Sequence, residues 1–346
     1  MSESDVLRKK AELLIAGTIV LGPGVSLPFP LSRSSAGPEV GTRNILLGFG
    51  GTRVKLKVSR DTSSSPFTLT RTAISDLFPA GEYRIEKNNS VFLDPVIPIR
   101  TPIHAPDQAF INIDARCRYD CLFCTSRNLK NYRRPSNDEW ISLIRRNANA
   151  DTIRSVAITS GVPTSINENL DDFETIIRGI ADLGLPIGVE PYVTTRGQLE
   201  RLHDAGSSEL KLNIQSWDPT IYRMVCPDSD LDLGDIRTLL KHGVEIFGPN
   251  RVQSNMIIGF GENDETILDG VRTLASLGVA VSLRRLHLND NNRIRLERVM
   301  DLEAITVPRY LKLRTEQERI FSEEGIDPTL FRTMCFPCMG CDLEPW

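Results

Sequence analysis

The alternation of short apolar runs with amphipathic stretches over residues 106–300 predicts an α/β fold. The expected core is a partial (β/α)6 barrel of the TIM type, with an irregular N-terminal extension and a C-terminal tail carrying three cysteines. Three observations lead there. Six apolar runs recur at intervals of roughly 20 to 45 residues with helical patterns between them, as parallel strands with crossover helices require. Residues 1–105 are rich in Gly, Pro and Ser and contain only short β-like runs. Residues 301–346 open with one charged helical stretch and close on a cysteine triplet.

The strand candidates are Ala109–Ile113, Ser155–Thr159, Ile187–Val193, Glu209–Ile214, Val252–Ile258 and Val279–Leu286. Helical patterns lie between them at Asn169–Leu183, Thr195–Ala205, Asp232–His242 and Glu262–Leu277. Closure into an incomplete barrel is the natural arrangement, and an open doubly wound sheet fits the same pattern. In such barrels the chemistry lies at the C-terminal strand ends. Before the core, Asn44–Gly51 and Arg53–Val58 read as β segments and Thr62–Pro66 as a loop. After it, Val307–Glu324 reads as a helix ending near Gly325. The domain division is therefore 1–105, 106–300 and 301–346.

The 346 residues are 40% hydrophobic and 25% charged, an ordinary globular composition, and a core of this size needs no disulfide staples. A net charge of −4 gives no reason to expect a nucleic acid or an anionic membrane as partner. The apolar stretch Ala11–Leu21 is too short to span a bilayer and is broken by Gly17. Acidic residues precede it and no small-residue cleavage site follows, so it reads as an amphipathic helix of a cytoplasmic protein.

Six of the seven cysteines form two triplets, Cys117/Cys121/Cys124 and Cys335/Cys338/Cys341, while Cys226 stands alone. Disulfide frameworks spread their cysteines along a chain, whereas clustered thiols favour metal ligation. Cys226 reads as a packed bystander. The first triplet follows the first strand with spacing CxxxCxxC and carries Phe123 before its last cysteine. Three thiolates on one loop can hold three irons of a cubane and leave the fourth iron open. The alternatives are a zinc loop, which wants four ligands, and unligated thiols.

This loop resembles the signature of the radical S-adenosylmethionine (SAM) superfamily, and the resemblance covers about residues 107–290. It implies that Cys117, Cys121 and Cys124 bind a 4Fe–4S cluster whose open iron takes SAM. It also implies an oxygen-sensitive enzyme drawing electrons from a donor such as ferredoxin or flavodoxin. Where the superfamily carries a GGE-like segment, this chain has Thr159-Ser160-Gly161 without the acidic residue, so the SAM amino group is expected on hydroxyls and carbonyls there. Glu190 is a candidate for the ribose or the ammonium. Lys211, Asn213 and Gln215 share one strand face, and three polar residues facing a barrel interior need a ligand or one another. Asn213 and Gln215 are therefore read as cofactor contacts, in a strand end that resembles biotin-synthase-like and lipoyl-synthase-like members. Gly259-Phe260-Gly261-Glu262 resembles an element whose backbone reads adenine, with Glu262 also placed to complement a helix dipole. Arg284, Arg285 and His287 end the sixth strand, and Arg285 is a candidate for a carboxylate.

The second triplet, CxxCxxC, suits a second 4Fe–4S cluster. Zinc would need a fourth ligand that the four histidines do not offer nearby. The tail is thus read as cluster-binding and is expected to fold back across the barrel mouth. For its fourth ligand, Arg33-Ser34-Ser35 matches three positions of the Arg-Ser-Ser-Tyr motif of lipoyl synthases, with Ala36 replacing the Tyr. In the single-chain lipoyl synthases the order is inverted, with auxiliary cysteines N-terminal at spacing CxxxxCxxxxxC. The inventory resembles a subunit of the two-component lipoyl synthase. That resemblance implies sulfur insertion into an octanoyl group on a carrier protein or peptide, with a second radical SAM subunit as partner and Ser34 or Ser35 on the donor cluster. The competing expectations are a dehydrogenase or peptide-modifying enzyme whose auxiliary cluster moves electrons or binds substrate, and a non-catalytic iron–sulfur or zinc scaffold.

Overall fold

A computed structural model of the chain describes residues 1–35, 40–61, 63–71, 82–125 and 132–344. Ala36, Thr62 and Trp346 lie outside the described residues. The first helix, α1 (Glu3–Ala16), begins where the Ser2 hydroxyl accepts from the Asp5 amide, and ends at Gly17. The apolar stretch Ala11–Leu21 is thus divided between α1 and a strand, β1 (Thr18–Leu21).

Then follow β2 (Ser32–Arg33), β3 (Arg43–Phe49), β4 (Thr52–Ser59), β5 (Phe67–Arg71), β6 (Tyr83–Lys87) and β7 (Ser90–Ile99). They run in the order β2-β3-β4-β1-β5-β6-β7, and β3 pairs again with β7. Six strands therefore close a small barrel around Ile19, Leu47, Leu56, Phe67, Leu69 and Ile85. The irregular, partly β extension expected over residues 1–105 takes the form of this barrel. Its closure rests on non-local pairings, β1 parallel to both β4 and β5 and β3 antiparallel to β7, and such pairings leave no local periodicity.

The second sheet begins with β8 (His104–Ala105) and β9 (Gln108–Asn112). Next come α2 (Asn137–Asn149), β10 (Ser155–Thr159), α3 (Ile166–Ile180), β11 (Ile187–Glu190), α4 (Arg196–Ala205) and β12 (Glu209–Lys211). It continues through α5 (Pro219–Val225), α6 (Leu233–Phe247), β13 (Val252–Ile258), α7 (Asp264–Ser276) and β14 (Val279–Arg285). The order is sequential from β8 to β14, with β9 to β14 all parallel. This is a curled, barrel-like α/β sheet, open between β14 and β8. β9 and β10 are buried along their full lengths, as strands covered on both faces must be. The third strand stops at Glu190 because Pro191 offers no N–H to a ladder.

After β14 come α8 (Arg293–Glu297), α9 (Val307–Glu324) and α10 (Cys335–Cys338). α9 packs on α7 and α1 and ties the two units together. Residues 332–344 do not fold over the mouth at the C-terminal strand ends. They enter the barrel from the opposite side. Glu209, at the start of β12, accepts from the amides of Arg332 (2.8 Å) and Thr333 (3.0 Å) and from the Thr333 hydroxyl (2.6 Å). Gln253, at β13, donates to the Thr333 carbonyl at 3.2 Å. Gln108, opening β9, exchanges two hydrogen bonds with the Met334 backbone at 2.6 and 3.1 Å. Buried polar side chains in an apolar lumen need such partners, and here they dock the segment. It emerges against the small barrel, where the Lys55 amide donates to the Gly340 carbonyl at 2.6 Å. Among the described residues no helix is long and apolar enough to cross a membrane.

Candidate active site

The loop after β9 presents the first triplet. Asp114, buried under it, accepts from the Arg116 amide at 2.9 Å and pairs with the Arg116 guanidinium at 2.6 Å. Thr159-Ser160-Gly161, at the end of β10, presses on the same loop. The Gly161 amide donates to the Asp114 carbonyl at 2.7 Å, and the Ser160 hydroxyl oxygen accepts from the Asp114 amide and from Asn169. A Cβ on Gly161 would stand 2.2 Å from the Arg116 carbonyl oxygen, so only glycine admits this contact. Ser160 and Gly161, read as SAM contacts, therefore brace the cysteine loop, whereas the Thr159 hydroxyl donates to the Glu190 carbonyl at 3.4 Å.

The Val162 amide donates to Cys117 Sγ at 3.4 Å, as amides do to cluster-ligating sulfurs. Burial pushes the Cys117 thiol up. The Cys121 thiol is raised by hydrogen bonding to Cys226 and by burial, so Cys226, read as a bystander, is packed against the loop. Among the described residues no three His, Cys, Asp or Glu side chains converge at metal-ligand distances. Three half-buried thiols on one loop, one already accepting an amide, nevertheless fit the donor chemistry of a cubane, and metal binding closes such sites as it forms them.

A cavity of about 220 Å³ lies inside the sheet's concave face. Phe123 and Cys124 line one part of it, Cys335, Cys338 and Cys341 another, and Glu190, Lys211, Asn213, Gln215 and Ser34 line it as well. The structure thus brings Cys124, the second triplet and Ser34 to one chamber. Asn213 donates to Glu190 at 2.6 Å and accepts from the Asn255 amide at 3.1 Å. Gln215 is held with φ +63°. Gly259 lies outside the chamber, in a second cavity of about 740 Å³ between the small barrel and the β13 and β14 ends. Arg285 lines both cavities. The Glu262 carboxylate accepts from the Gly259 and Phe260 amides at 2.7 and 2.9 Å, so it shapes this loop. Ser35 lines neither cavity; its amide and carbonyl are bonded to His104 and Asn112.

Around the second triplet the electrostatics are dense. Lys211 donates to Cys335 Sγ at 3.1 Å and Arg284 does so at 3.4 Å. Arg284 also faces Asp342 at 3.4 Å. Burial pushes the Cys338 thiol up to about 12 and raises Cys341 as well. Lys10, fully buried, is drawn down to about 8 by desolvation against the opposing pull of Glu344 and Asp342. Among the described residues the buried Asp342 carboxylate oxygens have no hydrogen-bond partner. Lys10, Lys55, His104, Asp342 and Glu344 escape sequence reasoning. The only available signal was Asp342-Leu343-Glu344 directly after Cys341.

Residues 111–274 match the model of the radical SAM superfamily. The chain is 26% identical over 179 residues to a probable GTP 3′,8-cyclase of Pyrococcus horikoshii, a match covering 51% of this chain and 55% of the relative. A Pyrococcus abyssi protein of the same description matches at 24% identity. The chain spans about half the length of the curated relatives it matches. Among solved structures, Streptococcus suis SuiB bound to S-adenosylmethionine aligns at TM-score 0.51 and 13% identity, over 63% of this chain and 48% of that one. The FeFe-hydrogenase maturase HydG from Carboxydothermus hydrogenoformans aligns at TM-score 0.51 and 20% identity, over 63% and 52%. At these identities the two structures speak to the fold alone.

Proposed function

The chain is a radical SAM enzyme whose superfamily domain runs from residue 111 to residue 274, and on that premise we propose that it inserts sulfur into an unactivated C–H bond. One observation carries the reading: Cys124 and the second cysteine triplet line the same chamber. When bound, a 4Fe–4S cluster with SAM on its open iron supplies a hydrogen-abstracting radical.

In this reading Cys117, Cys121 and Cys124 hold that cluster, on a loop braced by Ser160 and Gly161. Glu190, Asn213 and Gln215 orient SAM along the polar wall of the chamber. Gly259 offers backbone to the adenine, and Arg285, at the junction of the two cavities, holds a carboxylate. Cys335, Cys338 and Cys341 hold a second cluster as the sulfur source, with Lys211 and Arg284 neutralising the Cys335 thiolate. Ser34 supplies the fourth ligand. The substrate is an octanoyl group on a carrier protein or peptide. A second radical SAM subunit and a ferredoxin- or flavodoxin-type donor complete the system.

Cys341→Ala tests the division of labour. Under anaerobic reduction the variant should still form 5′-deoxyadenosine while thiolated product is lost. Thiolated product from Cys341→Ala would overturn the donor role. With limiting reductant, a sulfur source is consumed after one turnover, whereas an electron-transfer cluster stays intact.

A further inference from the structure

His104 shares the chamber with the second triplet, yet its geometry bars it from binding iron. The residue is half-buried and its ring packs on Phe110 at 4.8 Å between centroids. The Ser35 amide donates to Nδ1 at 3.0 Å. Lys55 Nζ stands 3.2 Å from the same Nδ1 and donates to the His104 carbonyl at 2.8 Å. An amide N–H and an ammonium have only protons to give, so Nδ1 must present its lone pair and the ring proton resides on Nε2. A ring in that state has no free lone pair to turn toward the cysteines.

What the ring does instead is hold the chain beside it. His104 takes the Ser35 amide while Asn112 donates to the Ser35 carbonyl at 3.0 Å. On the other side the Ser34 amide donates to the Thr42 carbonyl at 3.0 Å, and the Gly41 amide donates to the Ser34 carbonyl at 2.9 Å. Ser34 is thereby pinned from both sides at the chamber wall, facing the space lined by the triplet. Non-glycine residues rarely adopt φ +68°, the value His104 takes, which makes the ring placement an enforced one.

We propose that His104 is a positioning residue: it fixes Ser34 as the oxygen ligand of the second cluster and is itself excluded as a ligand. The inference rests on the reading of Ser34 given above. The test uses the full chain with Cys117, Cys121 and Cys124 replaced by alanine, so that only the second cluster contributes to the spectrum. Ser34→Ala and His104→Ala should shift the Mössbauer and reduced-state EPR signals in the same way. His104→Asn should restore the parent signal, because its Oδ1 replaces Nδ1 as acceptor and Asn tolerates a left-handed backbone. A urea midpoint for each variant shows that the chain remains folded.

Three outcomes overturn the proposal. If Ser34→Ala shifts the signal and His104→Ala does not, the positioning role falls and the Ser34 ligand stands. If Ser34→Ala leaves the parent signal intact, the ligand reading itself falls. A directly coordinated imidazole nitrogen in the pulsed-EPR spectrum of the parent would make His104 the ligand and end the argument.

Discussion

Glu344 carries an unusual linkage between charge and stability. Burial and the neighbouring Asp342 push its carboxyl up from 4.5 to about 7. A group whose folded value lies above its unfolded one keeps its proton longer in the folded chain. Its contribution is therefore fullest below pH 4.5 and is lost as pH rises toward 7, by on the order of 3 kcal/mol. The urea midpoint of the cluster-free chain should fall across that window, and Glu344→Gln should flatten the slope. An equal slope in both proteins would remove Glu344 from the account. The residue-scale site was only partly legible. Cysteine spacing exposed both triplets, and strand alternation put Lys211, Asn213 and Gln215 on the face that lines the chamber. Asp342 and Glu344 were not legible, because a carboxylate in a sequence shows nothing of its burial until the docked segment is known.

At the scale of elements, one close contact decides whether the triplet segment can enter the lumen. A Cβ on Gly188, in β11, would stand 2.0 Å from Thr333 Oγ1 and 2.8 Å from Thr333 Cβ. Gly188→Ala should therefore cost about 1–3 kcal/mol through overpacking. It should also displace the segment and, on the proposed two-cluster reading, lower the iron bound after anaerobic reconstitution from about eight to about four per chain. Iron analysis, with alkylation of Cys335 read by mass spectrometry, checks both. The segment's docking left one trace in the sequence: Gln108, Glu209 and Gln253 put a polar side chain at or next to the start of each of three strands. Ser155–Thr159 and Val252–Ile258 were legible to the residue because each is a short run with β-branched residues set between two helical stretches. The strands of the small barrel were not, since β1 finds its partners in β4 and β5 some forty to fifty residues away.

For the whole molecule, the segment of residues 332–344 is the joint between two units. It is bonded to β9, β12 and β13 on one side and to β4 on the other. Anything that rigidifies it must stabilise both units, since a ligand bound only by the folded chain adds its binding energy to folding. Cluster loading should raise the thermal midpoint and merge the melting of the small barrel and the large sheet into one transition. Calorimetry of loaded and cluster-free protein would show it, and two separate transitions after loading would contradict the joint. The order of synthesis gives the same feature a further meaning. Residues 332–344 leave the ribosome after every strand that surrounds them, whereas the Cys117 loop emerges with two-thirds of the chain still to come. The segment can therefore fill the lumen from below only after the strands that line it have been made.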